Sequence, residues 1–277
     1  MFVKPSVFRV SMSYLKQKLA EWEARGKIAD EKTTVAADDY KQNSNFVNNS
    51  VTKSNVLARA YYRFNIVEKR IMEALISQVN PQNNNINQLQ KLELNAIDYA
   101  RIYNVHKKVA YRDLEKGVCG LMHRVFSVEI SGGREEFTLM SNAQYLEGKG
   151  KITCSFNMYI TPHLIGLKGK FTKYPLNSTA NFKSSYTWRI YELLVSWAQD
   201  PKLTDGLFAG WCSISVDELR DMLGVPKTYQ WVNFQKQVLL VAKTELLEKV
   251  NIELDIEAIK TSRKITHLKF IFSTLPT

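Results

Sequence analysis

Cysteine is scarce in this sequence, and the three residues present, Cys119, Cys154 and Cys212, lie far apart. They are odd in number and form no C-x-x-C pair, which fits reduced thiols acting as buried filler rather than a disulfide frame. Long apolar runs are missing as well. No stretch approaches the roughly 18 residues that a membrane span needs, and the start of the chain, with Lys4, Pro5 and Arg9, lacks the apolar core of a signal peptide. The expectation is a cytoplasmic protein with no membrane partner. The four histidines, His106, His123, His163 and His267, make no H-x-H, H-x-x-x-H or Cys/His cluster, which speaks against a metal site and a metal-assisted tyrosine nuclease. No G-x-x-x-x-G-K-[ST] is present to cradle ATP, and no base or metal singles out any of the tyrosines as a nucleophile. The sequence reads as a non-enzyme without cofactor or metal.

Acidic residues are absent from one long stretch. Between Gly148 and Tyr191 there is no Asp or Glu, yet Lys149, Lys151, Lys168, Lys170, Lys173, Lys183 and Arg189 all occur. The whole chain carries a formal charge of +11 over 277 residues, a field that suits a polyanion such as nucleic acid. That length is enough for two domains, each with its own core.

What is present is an internal repeat at a separation of about 120 residues. Arg70-Ile71-Met72-Glu73-Ala74-Leu75-Ile76-Ser77 returns as Arg189-Ile190-Tyr191-Glu192-Leu193-Leu194-Val195-Ser196, and Leu94 to Val105 aligns without a gap on Ile214 to Val225. Asn95 and Ser215 are both N-cap residues with an acid, Asp98 or Glu218, three positions on, so each opens a short helix. Asn104 and Gly224 stand where those helices end, and these residue types enter the left-handed region most readily. A third helix follows in each copy, with Tyr111, Leu114, Val118 and Leu121 matched by Trp231, Phe234, Val238 and Val241. Strands come last. Ile252, Leu254 and Ile256 alternate with acids, and Leu268, Phe270 and Phe272 alternate beyond the turn Lys260 to Lys264. The first copy has a longer strand region, Val125 to Phe156, with turns at Gly132-Gly133 and Gly148-Lys149-Gly150, and offers a sheet edge for dimer pairing. A helix-turn-helix followed by a hairpin is a winged helix. The fold expected is α+β, with two tandem winged-helix domains at 51–165 and 166–277 after an N-terminal extension and linker at 1–50. Residues 12–25 of that extension place Leu15, Leu19 and Trp22 at helical spacing, and the polar run from Asn80 to Asn85 reads as a loop inside the first domain.

In a helix-turn-helix the second helix enters the major groove with its N-terminal residues towards the bases. Phe234, Val238, Val241 and Ala242 project inward on a helical wheel, leaving Gln230, Asn233, Lys236 and Lys243 as candidates for base or phosphate contact. Lys260, Arg263 and Lys264 put charge on the wing tip, where phosphates or a minor groove are reached. Lys183, Ser184 and Ser185 precede a helix whose amides suit a phosphate. In the first copy the corresponding helix brings Lys107, Lys108, Arg112 and Lys116, so both units have the charge to contact one duplex.

The sequence resembles the iteron-binding initiator proteins of theta-replicating plasmids. The resemblance rests on Asn55 to Ala60 leading into Glu68-Lys69-Arg70-Ile71 and Leu75 to Gln78, on Phe171-Thr172-Lys173-Tyr174 running into Ser184 to Leu194, and on Tyr229, Phe234, Ala242 to Glu245 and Thr266 to Phe270. It covers about residues 50 to 275. It implies a plasmid replication initiator that binds directly repeated sites in double-stranded DNA, with the second domain making the main contacts through Asn233 to Lys243 and its wing. The first domain, by the same resemblance, adds contacts when a monomer binds and otherwise forms the interface of a homodimer in equilibrium with it. Host initiator and replicative helicase are the implied protein partners. Where family members often carry several arginines at the start of the last recognition helix, this chain has Asn233-Phe234-Gln235-Lys236-Gln237. The alternative reading is a dimeric winged-helix transcriptional repressor, which binds an inverted rather than a direct repeat.

Overall fold

The computed structural model describes residues 46–130, 133–146, 149–204 and 207–275. The helical stretch expected at 12–25, with the rest of the extension to residue 45, lies outside the described residues, as do Gly132 and Gly148 of the expected turns. The chain forms two compact units. Among the described residues, one unit contains 46–54 together with 67–177, and the other contains 55–66 and the chain from Ser178 to 275.

In the first unit, strand β1 (Ser50–Ser54) pairs antiparallel with β7 (Phe171–Pro175). Helix α1 (Ile66–Ile76) is followed by the polar loop, in which Asn80, Asn83 and Asn85 each accept a bond from the amide two residues on. Short strand β2 (Leu92–Asn95) then leads into α2 (Ala96–Tyr103) and α3 (Lys107–Met122). An inserted hairpin of β3 (Val125–Ile130) and β4 (Gly133–Thr138) separates α3 from β5 (Met140–Leu146) and β6 (Lys151–Phe156). The order in the main sheet is β2-β6-β5.

The second unit repeats this plan. Helix α4 (Ser185–Trp197), strand β8 (Ala209–Ser215) and helix α5 (Val216–Leu223) precede α6, which begins as Trp231–Phe234, passes through a π turn at Gln235–Leu239 and continues as Leu240–Val250. Strands β9 (Ile252–Thr261) and β10 (Lys264–Thr274) form the wing, and the sheet order β8-β10-β9 matches that of the first unit strand for strand.

The helix boundaries have local causes. Asn95 Oδ1 accepts from the Asp98 amide and Ser215 Oγ from the Glu218 amide, so each satisfies one orphan donor of the first turn. Asn104 (φ 48°) and Gly224 (φ 62°) take the left-handed conformation that stops α2 and α5. Gly224 answers a second demand, because a Cβ there would press into Arg63. The cores are built from one face of each helix against its sheet. Trp188, Leu194, Leu219, Phe234, Leu246 and Phe270 are fully buried in the second unit, each contributing about 1.5–3 kcal/mol by removal from water.

Charge is buried in both units. In the first, Lys53 of β1 and Lys69 of α1 both donate to Glu73 Oε1 at 2.6 Å, and the Tyr174 hydroxyl of β7 donates to Oε2 at 3.2 Å. That network ties the β1–β7 ribbon to α1. In the second, Arg189 donates to the carbonyls of Ala58, Ala60 and Met222 and lies over the Tyr62 ring at 3.9 Å. Arg189 is therefore 4% exposed and fastens the 55–66 segment to α4, which removes it from the surface charge expected across 148–191. Residues 55–66 fold with the second unit for that reason, and 166–175 fold with the first because β7 pairs with β1.

Candidate nucleic-acid interface

Helix α6 is held from three sides before any residue on its outer face is considered. Phe234 is wholly buried, with the Trp231 ring 5.8 Å away and the Arg220 guanidinium 5.0 Å above it. Arg220, in the last turn of α5, also donates to the Tyr229 carbonyl and so fastens the α5–α6 turn. Further along, Glu245 accepts from the backbone amides of Lys183 and Ser184 at 2.9 and 3.3 Å, which places a carboxylate against the N-terminus of α4. Ser184 Oγ caps that same helix by accepting from Thr187 N. Two of the amides expected to grip a phosphate thus already hold the chain's own anion. The Lys183 side chain stays exposed, and Ser185 is half-buried.

The outer face of α6 has a different character. Gln230 is the N-cap residue but makes no side-chain capping bond, and no hydrogen bond or ion pair joins the side chains of Gln230, Asn233 or Lys236 to other described residues. All three are exposed, at or just after the start of the helix. Lys243 sits about two turns further on, with Nζ 3.9 Å from Asp255. The π turn changes which residues face inward. Leu240 N–H bonds the Gln235 carbonyl, five residues back, so the C-terminal half of α6 is rotated relative to a plain α-helix. Leu239 and Leu246 are buried as a result, whereas Val241, expected inside, is half-exposed.

The wing is a two-residue turn. Thr261 pairs with Lys264, and Ser262 adopts φ 59° between them. The hydroxyls of Thr261 and Thr266 meet at 3.0 Å below the turn, beside a register shift between Ile265 and His267. Lys260, Arg263 and Lys264 are exposed there, with no ion pair among the described residues.

In the first unit Lys107, Lys108 and Lys116 are exposed on α3, and His106 caps the helix by accepting from Lys108 N. Arg112 is engaged with Asp113 at 3.0 Å but keeps 59% of its side chain exposed. Tyr111, expected on the core stripe of α3, is 41% exposed beside Gly150. Among the described residues no helix is long and apolar enough to cross a membrane.

Comparison with known proteins gives this arrangement a family. Residues 50–195, over half of the chain, match the first winged-helix domain (WH1) of initiator replication proteins, and residues 215–272 match the second (WH2) of initiator Rep proteins. The chain belongs to the initiator replication protein family. It carries both winged-helix domains of that family, although the first match takes in 55–66 and most of α4, which fold with the second unit. Among solved structures, the initiator chain is similar to a Pi initiator protein in complex with iteron DNA, at 21% identity and a TM-score of 0.65. The match covers 83% of this chain and 99% of that one. It also matches the WH1 domain of a replication protein isolated from a multiple sclerosis patient, at 22% identity and a TM-score of 0.25, over 35% of this chain and 72% of that one.

Sequence reasoning misses Glu245 and Arg220, which are not themselves candidates for DNA contact yet fix the helix that carries several of them. The Ala242 to Glu245 segment carries a family pattern, but nothing local marks Glu245 as the partner of amides some 60 positions earlier.

Proposed function

We propose that this initiator starts plasmid replication by binding directly repeated sites, iterons, in double-stranded DNA, with α6 in the major groove and the β9–β10 wing on the flanking backbone. The observation that carries the reading is the two-sided character of α6. Its inner face is locked by Phe234, Arg220 and Glu245, while Gln230, Asn233 and Lys236 face out with no partner among the described residues. Asn and Gln bond adenine edges in pairs and Lys reads guanine or holds phosphate, so these are groups whose partners lie on DNA. Lys260, Arg263, Lys264 and Lys183 supply phosphate contacts, and Lys107, Lys108, Arg112 and Lys116 add a second set from the first domain.

The first domain also serves as a dimer interface. In its sheet β5 pairs with β6 alone among the described residues, and an edge strand of that kind is a template for pairing with a second chain. Homodimer and DNA-binding monomer stand in equilibrium, and the chain works in the cytoplasm. Because the sequence has no phosphate-cradling loop for ATP, opening of the origin is completed with the host initiator and the replicative helicase. The family match favours this over a dimeric repressor.

The test is genetic. A plasmid that carries only the DNA next to this reading frame, with no other origin, is expected to persist in cells supplying the protein in trans and to be lost without it. Loss in both strains, with repression of the neighbouring promoter, would favour the repressor.

A further inference from the structure

The outer face of α6 holds an apolar side chain for which the fold has no use. Val232 is 54% exposed, one residue before Asn233 and four before Lys236, in the first turn of the helix. It is not a core residue displaced by poor packing, since its neighbours Trp231 and Phe234 turn inward and pack on each other. Nor is it there for helix formation, because a β-branched residue in a first turn is a weak helix former. It stands between side chains that can bond base edges, at the end of the helix that goes deepest into the groove.

A base-pair edge in the major groove offers only one apolar group, the 5-methyl of thymine. We infer that Val232 reads a thymine methyl in the bound site, next to the base contacted by Asn233. This rests on the proposal that α6 enters the major groove and adds to it a chemical specification of the site. A thymine is required at the step facing Val232, and a 5-methylcytosine at that position of the same strand restores the apolar contact though not the thymine hydrogen-bond pattern.

The test uses the full-length protein and a duplex containing one bound site, with each thymine replaced in turn by uracil, which removes only the methyl group. The expected result is one position, or two adjacent ones, at which uracil weakens the wild type roughly three- to ten-fold, about what burying one or two methyl groups contributes. Val232→Ala should bind the unmodified duplex more weakly by a similar factor and show no further loss at that same uracil. Because Val232 is exposed, its truncation leaves the core intact, and an unchanged circular dichroism melt verifies this. A uracil scan with no effect on the wild type, or one with the same profile in Val232→Ala, overturns the inference while specific, salt-sensitive binding leaves the initiator reading standing. Failure to bind the unmodified duplex specifically overturns both.

Discussion

Asn233 and Lys236 differ from Lys243 in what already surrounds them. The first two are exposed at the start of α6 without partners among the described residues, whereas Lys243 lies near Asp255 and beyond the π turn. Asn233→Ala is therefore expected to weaken binding by about 1–3 kcal/mol and to relax preference at one base pair, in a titration against single-base variants of the site. Lys243→Ala should lower affinity less and equally across those variants. His163 is buried and sets a pH limit on the fold. Burial depresses its pKa to about 4, and its Nδ1 lies 2.9 Å from Ser54 Oγ. The unfolded chain takes up this proton near pH 6.5 and the folded chain near 4, so the neutral ring stabilises the fold fully above pH 6.5. That contribution, on the order of 3 kcal/mol, is lost as pH falls through the interval towards 4. Urea melts between pH 7 and 4 should show this slope in the wild type and a flatter one in His163→Gln. An identical slope in the two would place the acid sensitivity elsewhere.

At the scale of elements, the repeat is legible in the sequence because its signals are local. Asn95 and Ser215 cap, Asn104 and Gly224 stop, and the alternation in β9 and β10 gives the wing; each depends on neighbours within a few positions. Gly224→Ala should cost about 1–2 kcal/mol, from φ 62° and from the clash of a Cβ with Arg63. Asn104→Gly, at φ 48° in the equivalent turn, should be neutral or slightly stabilising. Thermal melts of the two variants decide this, and equal effects would contradict the distinction. The π turn is not legible, because no residue type at 235–239 demands a fifth-neighbour bond over a fourth. The exchange of 55–66 into the second unit is hidden for a similar reason. Arg189 counts as one more positive charge in the sequence, and only the fold shows that three carbonyls from two remote segments surround it.

For the molecule as a whole, the charge of +11 marks a polyanion partner, but it does not show which cations face that partner. Arg189, Lys53 and Lys69 are buried and Lys151 is paired with Glu93, while the wing-tip residues Lys260, Arg263 and Lys264 remain exposed. Removing one cation from a phosphate should reduce the slope of log affinity against log salt by about 0.9, so replacing all three by Ala should flatten it by about 2 to 3 if all touch phosphate. An unchanged slope would place the wing off the DNA. Whether α6 and the wing read directly repeated duplex sites is decided by footprinting the full-length protein on the DNA next to its own reading frame at two salt concentrations. Several direct repeats on the same face of the helix should be protected, weakening steeply with salt, and protection at every repeat should be abolished in Asn233→Ala/Lys236→Ala. Protection of a single palindrome, or a pattern untouched by those substitutions, would contradict that reading.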